Sequence, residues 1–167
     1  MMKSIRLGAA GAAIVAAFGM SSMAHAAAQD TATAQVEILG ALTLTADTAL
    51  DFGQIAVNGA GTATLDPTTS NVTCTANLIC VGSPAAADFT VTGTADATVG
   101  VTLPTASVTL NGPGGDTISL ASFTSDASTV TLTGGNGGFA VGGQLTIANG
   151  INAGNYSGTF NVSVEYN

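Results

Sequence analysis

The sequence predicts an all-β fold, most simply a two-sheet antiparallel sandwich, from three observations. After residue 26, apolar residues recur at every second position almost throughout, which is the period of a strand with one buried face. Clusters rich in Gly, Pro, Asn and Asp, such as NGPGGD, DPTTSN and TGGNGG, separate these runs at short intervals. Threonine is frequent, and its branched polar side chain suits the exposed face of a half-buried strand.

The first element is a predicted signal peptide over residues 1–26. Lys3 and Arg6 precede a short apolar run, and the stretch ends in Ala24-His25-Ala26, a small-residue site at which we expect cleavage. The apolar run is too short for a membrane span. The remaining 27–167 then form a single β-sandwich domain, exported and without a transmembrane segment after cleavage.

The composition of residues 27–167 argues against several functions. This part of the chain has no Lys, Arg, His, Met or Trp, but it has all ten Asp and Glu residues. So acidic a surface repels nucleic acids and anionic lipids. Nucleophilic catalysis lacks its usual His base, and Schiff-base or phosphate chemistry lacks its Lys. Carboxylate-only catalysis remains, yet scattered acids are ordinarily a solvated surface. We therefore expect no enzyme and no cofactor.

Two alternating stretches lie at the ends of residues 27–167. The first has small or apolar residues at positions 32, 34, 36, 38, 40, 42, 44 and 46, among them Val36, Ile38, Leu42 and Leu44. The favoured interpretation is the first one or two strands of the sandwich. The alternative is that 27–46 is a donor-type strand that pairs with the open sheet edge of a neighbouring molecule.

Between these ends, alternation predicts short strands around apolar pairs in the middle of the chain. They are Phe89 and Val91, Val99 to Leu103, Val108 and Leu110, Ile118 and Leu120, Val130 and Leu132, and Phe139 to Ile147. The closing stretch, YSGTFNVSVEYN, predicts a last strand with one buried face. That face carries Tyr156, Phe160, Val162, Val164 and Tyr166.

The two cysteines, Cys74 and Cys80 in CTANLIC, predict a disulfide. Export to an oxidising compartment favours a bridge, and zinc would need two further ligands from a chain without a usable His. Because the closed loop is short, the bridge contributes roughly 2 kcal/mol and trims a hairpin.

Asp116 is a weak candidate for a metal ligand. It lies in NGPGGDTIS, which resembles one calcium-binding nonapeptide repeat with Asn111 in place of the first Gly. Such repeats bind calcium only when several stack, and the next Gly-rich loop has Phe139 where an Asp is needed. A hairpin turn is the favoured interpretation, so no metal site is predicted.

The order of short motifs adds a resemblance. LDFGQIAV, GTATLDP, FTVTG, VTLP, FAVGGQLTI and GNYSGTFNVSVEY follow one another over residues 50–166. The series resembles a family of small exported bacterial proteins of unassigned function, and more distantly the spore-coat-U-type proteins and the subunits of archaic chaperone–usher pili. The resemblance implies an immunoglobulin-like sandwich from a Gram-negative envelope. It also implies a groove, bordered by Phe160, Val162, Val164 and Tyr166, that a periplasmic chaperone or a like subunit fills.

Two functional classes follow. The first is a non-catalytic structural surface protein, fimbrial or pilin-like or a coat subunit, whose partners are like subunits or a chaperone and usher. The alternative is a monomeric secreted or periplasmic binding module for a glycan or for calcium. The expected location is the periplasm, the cell surface or the extracellular space.

Overall fold

The computed structural model describes residues 29–75 and 77–167, and it confirms the all-β prediction. The predicted signal peptide lies outside these residues. Residues 29–42 have no assigned secondary structure. In the described part of the chain no helix has the length and apolar character that a bilayer crossing needs.

Within the described ranges the chain forms twelve strands, all paired antiparallel. The strands are β1 (Thr43–Ala46), β2 (Gln54–Val57), β3 (Gly61–Leu65), β4 (Val72–Cys74), β5 (Leu78–Val81), β6 (Ala87–Thr92), β7 (Thr98–Thr102), β8 (Val108–Asn111), β9 (Thr117–Ser125), β10 (Thr129–Thr131), β11 (Asn136–Ile147) and β12 (Ser163–Tyr166). A 3₁₀ turn, Pro113–Gly115, joins β8 to β9. The predicted strands from Phe89 to Ile147 are therefore confirmed.

The largest sheet has seven strands and is organised around β11. The first half of β11 pairs with β6 and the second half with β3, while β9 pairs across the middle and the second half. Val141 pairs with Ala87 and with Ser125, so β9 lies on the edge of β11 opposite β6. The sheet then extends to β1 through β6, to β4 through β3, and to β8 through β9.

Two smaller sheets pack on the large one, so the described strands divide into three sheets rather than the two that were predicted. One has the order β10-β7-β12, and the other is the β2-β5 ribbon. The ribbon is separate because β2 pairs only with β5 among the described strands.

Each small sheet shares its own apolar core with the large sheet. The first core joins β3, β9 and β11 to the β2-β5 ribbon and includes Leu65, Leu78, Leu120 and Ile147. The second joins β6 and β11 to β7 and β10 and includes Val91, Val99, Val130 and Val141. Alternation along each strand puts these side chains on one face.

Turn chemistry explains why the strands end where they do. Thr133 and Asn136 bridge across Gly134 and Gly135, which both have positive φ, 60° and 87°. A two-residue hairpin turn of this hand needs φ above zero at both positions, which glycine adopts without steric cost. Part of the predicted breaker TGGNGG, from Asn136 onward, belongs instead to β11.

Core burial makes a direct prediction for stability. Leu65 is fully buried in β3, whereas Ile79 on β5 is 53% exposed. Leu65→Ala should lower the free energy of unfolding by about 2–5 kcal/mol, because it leaves a cavity in the first core. Ile79→Ala is the matched control and should cost well under half as much. Urea unfolding of both variants measures this, and equal losses would contradict the core assignment.

Candidate functional site

An apolar stretch near the start of the described chain is exposed. In this stretch, Val36–Leu39, here called the N-terminal segment, Val36 is 85% and Ile38 88% exposed, and Leu39 is 42% exposed. Val36 and Ile38 alternate with Gln35 and Glu37, so as a strand the segment would have one apolar and one polar face. Exposed apolar residues that cluster in this way are typical of interaction surfaces.

A set of hydrogen bonds fixes the chain immediately after the N-terminal segment. The Tyr166 hydroxyl donates to the Gly40 carbonyl at 2.9 Å and accepts from the Thr94 N–H at 2.8 Å. The Gly40 N–H donates to the Thr94 hydroxyl at 2.7 Å. These three bonds, here called the Tyr166 clasp, join the last strand to the point at which the N-terminal segment ends.

Beyond the clasp, the chain pairs with itself. β1 runs antiparallel to β6, with Leu44 opposite Val91. Leu42 and Leu44 are half-buried against the second core. The alternating stretch at positions 32–46 is therefore divided in the structure. Its last four residues are a strand of the fold, while Val36 and Ile38 remain exposed.

The closing stretch forms a shorter strand than its alternation predicted. Phe160, Val162, Val164 and Tyr166 are half-buried against the second core, and Phe160 also contacts the first. Ser157 bridges Asn111 of β8, whereas β12 pairs with β7. The chain thus crosses from one sheet to another, and residues 158–162 take part in none of the backbone hydrogen bonds found within the described ranges.

A groove of about 550 Å³ opens onto the first core. Its lining includes Ile55 and Val57 of β2, Leu110 and Ile118 of the large sheet, and Ile147 at the end of β11. The loop 151–156 forms another part of the wall. Because β2 pairs with β5 alone among the described strands, alternate backbone groups of β2 point away from β5 without a strand partner. The groove therefore combines apolar side chains with an open strand edge.

Tyr156 stands in the groove wall and is fixed from two sides. Its hydroxyl donates to the Asn152 carbonyl at 2.7 Å, and the Asp116 carboxylate accepts from the Asn152 N–H. A Cβ on Gly112 would overlap the Tyr156 ring, so only glycine allows this approach. Partial burial, and after it the negative charge of Asp116, raises the pKa of Tyr156 above its ordinary value.

The remaining candidate residues have structural places. Cys74 and Cys80 form the predicted disulfide, with their Cα atoms 6.0 Å apart. Asp116 bonds to the loop backbone, and no group of three or more potential metal ligands occurs among the residues that the structure describes. The groups that the N-terminal segment and the groove offer for binding are apolar side chains and the backbone edge of β2.

Sequence reasoning missed this groove and the clasp. The groove that the resemblance implied was bordered by Phe160, Val162, Val164 and Tyr166, and none of these residues lines the observed one. The groove lining comes from segments as far apart as Leu50 and Tyr156. Its one local signal was Ile55 and Val57, which alternate in the motif LDFGQIAV. The clasp joins Gly40 to Tyr166, and no local pattern indicates a contact of that sequence separation.

Removal of the Tyr166 hydroxyl tests the clasp. Tyr166→Phe should lower the free energy of unfolding by about 1 kcal/mol, since it removes the hydrogen bonds of the hydroxyl to Gly40 and Thr94 and keeps the ring. Hydrogen exchange at the Thr94 amide should become faster. Tyr156→Phe is the control, because it removes a hydroxyl elsewhere and should leave Thr94 unchanged. Unaltered Thr94 exchange in Tyr166→Phe would contradict the clasp.

A pH titration tests the surroundings of Tyr156. The chain has two tyrosines, so in Tyr166→Phe the phenolate absorbance reports Tyr156 alone. Its midpoint should lie above the ordinary pKa of about 10, and Asp116→Asn should lower it. Since the folded state holds the proton more tightly, stability should fall as pH rises above about 10. A midpoint equal to that of the urea-unfolded chain would contradict this account.

Comparison with known proteins places this architecture in a family. Neither a curated protein nor a solved structure matches the chain. A family match covers residues 42–166, from the residue before β1 to the end of β12. Val36–Leu39 lies outside the match, and the groove lies within it. The chain belongs to the DUF4402 family, a domain of unknown function.

Proposed function

We propose that the protein is an exported, non-catalytic structural subunit that assembles at the cell surface by β-strand pairing, as a fimbrial, pilin-like or coat protein. The observation that carries this proposal is the exposure of Val36 and Ile38 on one face of an alternating segment. A partner strand on that face would bury the two side chains, which the described part of the chain leaves exposed.

The energetic argument rests on burial. Covering the side chains of Val36 and Ile38 contributes about 1.5–3 kcal/mol each, before the cost of ordering the segment. An exposed apolar strand is otherwise an aggregation hazard, which natural proteins cover or use for pairing. Strand pairing adds backbone hydrogen bonds to the apolar contact, and this combination is a known mode of recognition.

Composition supports a structural rather than a catalytic role. Residues 27–167 carry no Lys, Arg or His, so the usual general bases and phosphate ligands are lacking. The Tyr156 and Asp116 pair holds a loop in place through Asn152. Their hydrogen bonds fix the loop that forms part of the groove wall.

The proposal extends to the type of sandwich, the cellular compartment and the assembly partners. We place the protein in an immunoglobulin-like sandwich whose second layer combines the β10-β7-β12 sheet with the β2-β5 ribbon. The disulfide supports an oxidising compartment outside the cytoplasm. The resemblance to spore-coat-U-type proteins and archaic pilins favours a Gram-negative envelope, with a periplasmic chaperone and usher as assembly partners.

A second candidate function is a secreted binding module. The groove favours it, since its volume of about 550 Å³ lies within the range of small-molecule sites, roughly 300–1,000 Å³. Calorimetry with calcium and with a glycan panel tests this module. Heat at micromolar ligand and a monomeric protein on cells would favour it over the structural subunit.

The test of the structural role is a comparison of two acidic substitutions in native cells. Ile38→Asp puts a charge on the apolar face of the N-terminal segment, and Gln35→Asp puts the same charge on the polar face. We expect filaments or a coat, seen by immunogold electron microscopy, in the wild type and in Gln35→Asp. Ile38→Asp should abolish them.

Sheared surface material gives the second readout. Unheated in SDS, the wild type and Gln35→Asp should migrate as a ladder that collapses to a monomer on boiling, because paired strands resist the detergent. Ile38→Asp should give the monomer in both lanes. A wild type that is monomeric without heating, with diffuse label on the cells, would refute the structural role.

A further inference from the structure

We propose that Asn149 is a self-modification site, at which the side-chain amide is lost as ammonia and a carboxylate takes its place beside the groove. The site lies in the turn that follows β11 and precedes the loop 151–156 of the groove wall. Its only co-reactant is water. Assembly plays no part in this reaction, which therefore adds to the proposed function without depending on it.

The reaction needs an asparagine followed by a residue whose backbone nitrogen can approach the asparagine side chain. Glycine meets this need best, because it has no Cβ to obstruct the approach and its backbone rotates most freely. The chain contains four Asn-Gly pairs, which begin at Asn58, Asn111, Asn136 and Asn149. The fold therefore decides which of the four can react.

At Asn149 the chemical steps balance without an oxidant or a cofactor. The backbone nitrogen of Gly150 loses its proton to the solvent and forms a bond to Cγ of Asn149, which closes a cyclic imide. The bond from Cγ to the side-chain nitrogen breaks, and this nitrogen takes up a proton and leaves as ammonia. Water then opens the ring at either carbonyl. The product is aspartate, or isoaspartate when the chain continues through the former side chain.

The structure leaves Asn149 and Gly150 free to rearrange in this way. Both residues are exposed and lie in a turn, outside the strands. Neither takes part in the backbone–backbone hydrogen bonds found within the described ranges. Apart from the chain neighbours, no described atom lies within 4 Å of the position that a Cβ on Gly150 would occupy. The attacking nitrogen therefore has neither a competing acceptor nor a close neighbour.

Asn111 is protected by hydrogen bonds on both sides of the reacting pair. The Gly112 N–H, whose nitrogen would have to attack, donates instead to the Asp116 carbonyl at 2.9 Å. Asn111 exchanges two backbone hydrogen bonds with Ser157, at 2.8 and 3.0 Å. An amide held in this way reacts only when the local structure opens.

The other two pairs are also restrained. Asn136 and Gly137 belong to β11 and pair with residues of β6. Near the end of β2, the Asn58 N–H donates to the Asn77 carbonyl at 2.9 Å. The Asn77 side chain also lies against Gly59, 3.3 Å from the position of a Cβ there. Asn58 is thus less free than Asn149, although it is outside a sheet.

The product changes the edge of the groove wall in charge and in length. It adds one acid to a part of the chain that has ten acids and no Lys, Arg or His. The isoaspartyl form also inserts a methylene into the backbone two residues before Ile151, which lines the groove. Modified and unmodified chains therefore present different groove edges.

Timed incubation of the folded protein at mildly alkaline pH tests the site. Trypsin has no cleavage site after residue 26, so chymotryptic peptides are followed by tandem mass spectrometry. Guanidinium-unfolded protein gives the reference rate for each pair. In the folded protein Asn149 should react within about threefold of its unfolded rate, because no hydrogen bond has to open. Asn111 and Asn136 should be slowed by at least about tenfold, which corresponds to 1.4 kcal/mol of opening free energy. Asn58 should lie between.

Two glutamine variants are matched controls. Asn149→Gln should abolish isoaspartate in the peptide 146–156, since the longer side chain closes its ring much more slowly, and Asn58→Gln should leave it unchanged. A protein isoaspartyl methyltransferase gives the second readout, and Asn149→Gln should remove most of its label. An Asn149 that reacts as slowly in the folded protein as Asn136, or label that persists in Asn149→Gln, would overturn the proposal.

Discussion

The backbone pairing along β11 is the constraint on which the rest of the fold depends. This strand, Asn136–Ile147, binds β6 and β3 on one edge and β9 on the other. Its first half thereby serves the second core through Phe139 and Val141, and its second half serves the first core through Leu145 and Ile147. One strand thus contributes side chains to both apolar cores, and each small sheet packs on the large sheet through one of these cores.

The C-terminal stretch passes from the first core to the second. Ser157 lies beside β8 in the large sheet, whereas β12 pairs with β7 in a small one. Residues 158–162 connect the two positions and make no backbone–backbone hydrogen bond to other described residues. Phe160 stabilises this crossing segment through its ring, whose centroid lies 5.0 Å from that of Phe123 and 6.4 Å from that of Phe89. Tyr166 then ends the stretch by holding Gly40, which ties the last strand to the start of the compact unit.

Sequence reasoning predicted what depends on local periodicity. The β class, the strands from Phe89 to Ile147 and the disulfide all follow from alternation, turn residues and cysteine spacing, and the structure confirms them. The closing strand was predicted too long, because alternation reports which side chains are buried and says nothing of whether the backbone has a partner. The third sheet and the groove depend on pairing between distant segments, as with β2 and β5. Val36 and Leu44 alternate in the same run, yet Leu44 pairs with Val91 in the sheet while Val36 is 85% exposed and in no strand, a difference that the sequence pattern does not contain.

In the proposed assembly, charge limits the kind of contact that can join two copies. From residue 27 onward the chain carries ten acids and no Lys, Arg or His, so this part of the chain cannot form an ion pair between side chains, either within one copy or with the same part of a second copy. Like copies repel each other at long range, and salt weakens this repulsion over about 8–10 Å at ordinary ionic strength. Attraction must therefore come from apolar burial and backbone hydrogen bonds, which act only at contact. The N-terminal segment offers exposed apolar side chains, and the groove offers apolar side chains beside a strand, β2, whose one partner among the described strands is β5.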